Sequence, residues 1–162
     1  MAKNDLMNQS PQDWNLDGTS IFRFLTYRIA RLHFELNSQA MSVLNEDGKL
    51  GLSMWRVLAM VASGNATTSA EIASVMKMDP AIVSRTTHKL EADGLLKTER
   101  SAKDRRVIQI SITDEGRHIY KQTLPKMRRR QKVLIDALTD DQQDIVFDIL
   151  DRLEKAAEIR EF

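Results

Sequence analysis

The chain is expected to fold as a mainly α-helical protein with one small β-hairpin. Three observations predict this. Apolar residues recur at helical spacing through most of the 162 residues. The period changes to two only between Leu95 and Ile112, in two short runs separated by a charged tip. Serine, threonine or aspartate precedes the apolar stretches, and glycine or asparagine follows several of them, as helix ends require.

Residues 1 to about 16 are polar with isolated Leu6, Met7, Trp14 and Leu16, and read as a loose arm. Asp17-Gly18-Thr19-Ser20 is a capping turn. Ile21, Leu25, Ile29, Leu32, Leu36, Ala40 and Val43 then form one stripe, which predicts a long first helix ending at Asn45-Glu46-Asp47-Gly48. A helix of that length projects unless something packs along it, and a partner chain suits that role. Ser53 is expected to cap a second helix carrying Trp55, Val57, Leu58, Met60 and Val61, closed by Gly64-Asn65. Ser69 is expected to cap a short third helix with Ile72, Ala73 and Met76 inward. Asp79-Pro80 restarts the chain with an acidic cap and proline at the first helical position. That helix should run to Ala92 and end at Asp93-Gly94, burying Ile82, Val83, Thr86 and Leu90.

The runs 95–100 and 107–112 read as strands around Ser101-Ala102-Lys103-Asp104-Arg105-Arg106. Thr113 should cap another long helix with Gly116 in its first turn and Ile119, Thr123, Met127 and Leu134 on one face. Pro125 is expected to kink or break it. Thr139 and Gln142 make a capping-box pair for the last helix, with Ile145, Ile149, Leu153 and Ala156 inward.

The formal net charge is only +1, which argues against a polyanionic partner until the charges are placed. Residues 77–106 hold eight basic and five acidic side chains. Residues 117–132 hold seven basic and no acidic ones, and 136–162 hold nine acidic and three basic. Such segregation suits a basic middle that meets a polyanion. It also fits basic and acidic helices that neutralise one another. No cysteine is present, which excludes disulfides and thiol chemistry. No apolar run approaches the roughly 18 residues needed to span a bilayer, and no secretory signal is visible, so a cytoplasmic protein is expected.

Two short helices, a tight turn and a following hairpin make a winged helix-turn-helix pattern. A reading helix needs one buried face and one face of small, hydrogen-bonding residues that fits the major groove. Ala81, Ser84, Arg85, Thr87 and His88 suit the second face, and the N-terminal N–H groups can meet a phosphate. Lys103, Arg105 and Arg106 sit at the tip of a narrow ribbon that can enter a minor groove or follow phosphates. Ser69, Lys89 and Asp104 complete the candidate DNA-binding set. Most of Lys126–Lys132 reads as a solvated face. His33, His88 and His118 lack metal-ligand spacing, and neither a phosphate loop nor a nucleophile elbow appears. No metal, cofactor or catalysis is therefore expected.

Three stretches carry a family resemblance. They are Ala70-Glu71-Ile72-Ala73 with Asp79-Pro80-Ala81-Ile82-Val83-Ser84-Arg85, Lys89-Leu90-Glu91-Ala92-Asp93-Gly94-Leu95-Leu96, and Asp104-Arg105-Arg106 through Ile112-Thr113-Asp114-Glu115-Gly116. From about Ser20 to its C-terminus the chain resembles the MarR (multiple-antibiotic-resistance regulator) family, including its D-x-R wing and L-T-x-x-G helix start. Ile112 replaces the leucine of that pattern. The resemblance implies an obligate homodimer, a repressor of transcription and a palindromic double-stranded operator. It implies a single unit over 1–162, with a helical dimerisation region at 20–44 and 113–162 and a DNA-binding lobe at 53–112. It places Arg106 in the minor groove, held by Asp104, with Arg105 as a second contact. It also implies a small, often phenolic or carboxylate effector, for which Phe24, Tyr27, Arg28, Arg31, Trp55, Arg56 and Tyr120 are candidates. The aromatic members equally suit a core. The alternative is a non-specific architectural DNA binder, and a further rival is a winged helix that binds protein.

Overall fold

A computed structural model describes residues 20–45, 50–101 and 104–159. The proposed arm at 1–16, the turn residues 17–19, the helix stop at 46–48 and Lys103 lie outside them. The chain divides into two compact units, residues up to Leu52 and from Ser53 onward.

In the first unit the long helix does not start at Ile21. Ile21–Arg23 is a 3-10 turn, and Phe24 is extended at φ −62° and ψ 129°. α1 then spans Leu25–Asn45. Ser20 makes no side-chain cap bond. Ala40 and Leu44 are buried, whereas Leu25, Ile29, Leu32 and Phe34 lie open.

In the second unit the order is α2 (Leu52–Ala62), α3 (Ser69–Val75), α4 (Pro80–Ala92), β1 (Leu96–Arg100), β2 (Ile108–Ile112), α5 (Asp114–Asp136) and α6 (Asp140–Ala157). α2 begins one residue before the expected cap Ser53. Its Val57 and Leu58 are fully buried, as are Ile72 of α3 and Val83 and Leu90 of α4. Each such side chain contributes about 1.5–3 kcal/mol by leaving water. β1 and β2 pair antiparallel, with Leu96 opposite Ile112 and Arg100 opposite Ile108.

The break expected at Pro125 and the inward face expected on α6 are both corrected. Proline 125 neither breaks nor ends α5, which is continuous from Asp114 to Asp136. One missing N–H is tolerated because about three turns of helix flank it on each side. Ile145, Ile149 and Ala156 of α6 do not face inward but are exposed, and of the four residues expected inward Leu153 alone is half-buried.

The start of α5 is fixed to the end of α4. The Thr113 hydroxyl donates to Gly94 O at 2.7 Å or Leu95 O at 3.1 Å and accepts from Gly116 N at 3.0 Å. Gly94 has φ +73°, the left-handed turn that ends α4. A Cβ at Gly116 would run into the Leu95 carbonyl and lie 2.9 Å from the Ile112 side chain, so glycine is required there.

Candidate nucleic-acid interface

α3 is capped by Thr68, not Ser69. The Thr68 hydroxyl accepts from Glu71 N at 3.2 Å, and Glu71 Oε2 accepts from Thr67 N at 2.7 Å and Thr68 N at 3.1 Å. Thr68 and Glu71 have the threonine-x-x-glutamate spacing of a capping box, which identifies the true cap. The backbone bond from Thr67, the largest influence, holds the Glu71 carboxyl below its ordinary pKa. Ser69 is the first helical residue and is half-buried.

The turn into α4 places Lys77 in the left-handed region at φ 49°. Met78 N then donates to Ala73 O at 3.0 Å, closing the end of α3. Asp79 accepts from Ala81 N at 2.6 Å and from Ile82 N at 3.4 Å. These N–H groups are therefore already satisfied by an internal carboxylate, and the expected open phosphate seat at the α4 N-terminus is corrected.

On α4 the buried set is Val83, Thr86, Thr87 and Leu90. This is the i, i+3, i+4, i+7 stripe, which keeps Val83, Thr86 and Leu90 of the expected set and takes Thr87 in place of Ile82. Ile82 is thus exposed, and Thr87, expected to point outward, is 3% exposed. Its Oγ1 is buried without a hydrogen-bond partner. Ala81, Arg85, His88 and Lys89 are exposed, and Ser84 is half-buried. Lys89 pairs with Asp93 at 3.2 Å, and His88 Nδ1 lies 3.8 Å from Glu91 Oε2. Arg85, Arg105 and Arg106 take part in none of the ion pairs found among the described residues.

The wing's aspartate holds its arginine by the backbone. Asp104 Oδ1 accepts from Arg106 N at 2.9 Å, and Asp104 O accepts from Val107 N at 2.9 Å. Such an Asx turn engages the Arg106 backbone and leaves the residue exposed. Ile110 N donates across the other side of β2 to Thr67 O at 2.7 Å, tying the wing to the segment before α3.

A cavity of about 460 Å³ lies between these elements. Thr68 and Ser69 of the α3 start, Ser84, Thr87 and His88 of α4, and Arg106 and Ile108 of the wing line it. It brings together five of the candidate DNA-binding residues: Ser69, Ser84, Thr87, His88 and Arg106. Thr68, Thr98 and Ile108 were not singled out from the sequence. The Thr68 spacing was a usable signal, whereas the inward turn of Thr98 requires the strand register.

The effector candidates fall into two groups. In the first unit Phe24 is half-buried, Arg28 and Arg31 are exposed, and Tyr27 meets Phe22 edge-on at 5.4 Å. In the second, Trp55 stacks on Tyr120 at 5.6 Å. Burial first, and Arg56 second, lower the Arg130 guanidinium from its ordinary pKa. Within the basic run, Lys132 pairs with Asp136 of its own helix at 2.7 Å. Lys77 reaches Glu158 at the end of α6 at 3.3 Å. Among the described residues no cluster of metal-ligating side chains occurs, and no helix is long and apolar enough to cross a membrane.

Comparison with known proteins agrees with this arrangement. Residues 50–108 match the MarR family model. The chain is 30% identical to the HTH-type transcriptional repressor MdtR of Bacillus subtilis over 105 residues, 65% of this chain and 68% of that protein. The crystal structure of a MarR/EmrR family regulator from Acinetobacter sp. ADP1 has a TM-score of 0.79 at 24% identity, covering 86% of this chain and 98% of the other. The Bordetella bronchiseptica BpsR structure, from work on regulation of its DNA binding by 6-hydroxynicotinic acid, has a TM-score of 0.76 at 17% identity, covering 83% and 96%. The fold these structures share is the winged helix expected from the sequence, and the relatives are regulators rather than enzymes. The chain belongs to the MarR family and is a DNA-binding transcriptional regulator.

Proposed function

We propose that the protein is a homodimeric repressor that reads a palindromic operator and is released by a small molecule. One observation carries the DNA-reading part. The reading helix and the wing wall the same cavity, with Ser84 and His88 on one side and Arg106 on the other. In a duplex, one sugar–phosphate strand separates the major from the minor groove. A helix in the first and a ribbon in the second would straddle that strand.

Arg85 is assigned to base edges, Arg106 and Arg105 to the minor groove or its phosphates, and Ser69, Ser84, His88 and Lys89 to the backbone. Ala81 leaves room for close approach. Lys103, outside the described residues, is assigned to phosphates on its charge alone. Asp104 shapes the tip. Thr87 supports the face from beneath. The DNA-binding lobe is 53–112.

The dimer part rests on exposed apolar side chains at helical spacing. Leu25, Ile29 and Leu32 lie open on α1, and Ile145 and Ile149 on α6, where Phe147 and Leu150 are exposed as well. Monomeric proteins rarely leave such stripes in water. They fit self-association through 20–44 and 113–162. The effector part is supported by BpsR, whose DNA binding is described as regulated by an aromatic carboxylate. An arginine among Arg28, Arg31 and Arg56 would pair with such a group. We place this activity in the cytoplasm, where a bacterial operator is accessible.

Selection of bound duplexes from random-sequence DNA is the decisive test. A palindromic consensus with half-sites about one helical turn apart is expected. Binding without sequence preference would overturn the repressor reading in favour of an architectural role. Calorimetric titration with aromatic carboxylates and their coenzyme A thioesters tests the effector, and heat silence across the panel would remove it.

A further inference from the structure

The strand β1 has an outer edge, and one side chain of the reading helix occupies it. Ile110 N points to Thr67, away from β1. Ile110 stands opposite Thr98, so this is a non-hydrogen-bonded pair. The backbone groups of Thr98 therefore also point away from β2, toward an edge where no third strand lies among the described residues. Ser101 N donating to Val107 O at 2.9 Å agrees with this alternation. An edge N–H pressed against a helix needs an acceptor. Glu91 supplies it: its Oε1 accepts from Thr98 N at 3.2 Å and from the Thr98 hydroxyl. Its Oε2 faces His88 Nδ1 at 3.8 Å.

A carboxylate is an expensive choice at this place. It sits in the last turn of α4, where the helix dipole disfavours negative charge. It also lies in the lobe that must approach phosphates. What it supplies is the bond between α4 and the wing's root. We propose that Glu91 is a positioning residue for DNA binding, fixing the wing relative to the reading helix so that Arg106 and Arg85 engage one duplex together. This rests on the reading that both elements contact DNA.

The test is a double-mutant cycle on the duplex that the wild-type protein selects from random-sequence DNA. Glu91→Ala should weaken binding about tenfold in the wild-type background and about twofold or less with Arg106→Ala already present. Glu91→Gln keeps an acceptor oxygen for the Thr98 N–H and should stay within about twofold of wild type. Equal losses in both backgrounds, or a loss for Glu91→Gln as large as that for Glu91→Ala, would overturn the proposal. Amide hydrogen exchange provides a readout without DNA. The Thr98 amide should exchange about tenfold faster in Glu91→Ala while Leu90 is unchanged, and an unaltered Thr98 amide would refute the clamp. If Glu91→Ala does not fold, Thr98→Val, which deletes the hydroxyl bond alone, enters the same cycle with a smaller loss expected and additivity again overturning. If wild type selects no duplex, the DNA reading fails, and the exchange experiment still decides the clamp.

Discussion

Replacing Gly116 by alanine sets two effects of opposite sign against each other. Helix propensity alone favours alanine inside α5 by about 1 kcal/mol. The packing opposes it. The new methyl would collide with the Leu95 carbonyl oxygen and press on Ile112 at 2.9 Å. Leu95 O is backbone, held by Thr113 N at 3.2 Å and by the Thr113 hydroxyl. Its own N–H bonds Leu90 O at 2.8 Å. It cannot swing aside as a flexible side chain would. Relief requires α5 to back away, loosening the two Thr113 bonds at about 1 kcal/mol each. Overpacking adds about 1–3 kcal/mol. The net expectation for Gly116→Ala is a loss of about 2–4 kcal/mol, from these costs less the propensity gain. Urea unfolding at fixed protein concentration, with far-ultraviolet dichroism as probe, measures it directly. Gly94→Ala is a useful companion, since it has open space around it and only the φ of +73° to oppose a side chain. A Gly116→Ala protein as stable as wild type, or more so, would refute the close contact between α5 and the α4–β1 turn.

Other outcomes follow from the same geometry. Thr87→Val removes a buried hydroxyl that has no partner while keeping its shape, so urea unfolding should show unchanged or higher stability, by up to about 1–2 kcal/mol. Glu71 carries a lowered pKa, so its contribution is complete above the ordinary value of 4.5 and is lost as pH falls below it through the folded-state value. The stability deficit of Glu71→Gln should accordingly shrink as a pH series descends from 7 to 3. Arg106→Ala should cost about 1–3 kcal/mol in operator binding, the scale of one good base contact. Arg85→Ala should weaken operator binding more than binding to random duplex, as read by competition gel shifts.

The order of elements was legible because it rests on local chemistry. Asp79-Pro80 opens α4 and Gly94 closes it, and each signal lies within a few residues of its effect. Thr139 and Gln142 opened α6 in the same way, with both box bonds formed. Sequence and structure part where a neighbour decides. Thr68 and Ser69 are both good caps, and Glu71 three residues after Thr68 selected between them. Ile82 and Thr87 exchanged their expected environments because a single helix admits two adjacent stripes. Hydrophobicity favours the isoleucine, but the position of the wing and α3 settles which stripe is covered. The α6 isoleucines look like core on any helical wheel, yet they remain open on the single chain. Glu91 could not be singled out at all, because the strand register that leaves Thr98 unpaired is not written near Glu91.

The charged outer edge of β1 has a consequence for strand addition. An open strand edge is a template on which another molecule's strand can add. Here Glu91 fills one edge position, and the strand itself carries Lys97 and Glu99, paired at 3.1 Å. An edge plugged by a carboxylate and flanked by solvated charges is a poor template for such addition. The side chain that joins β1 to α4 thereby also takes a backbone position at which an added strand would pair.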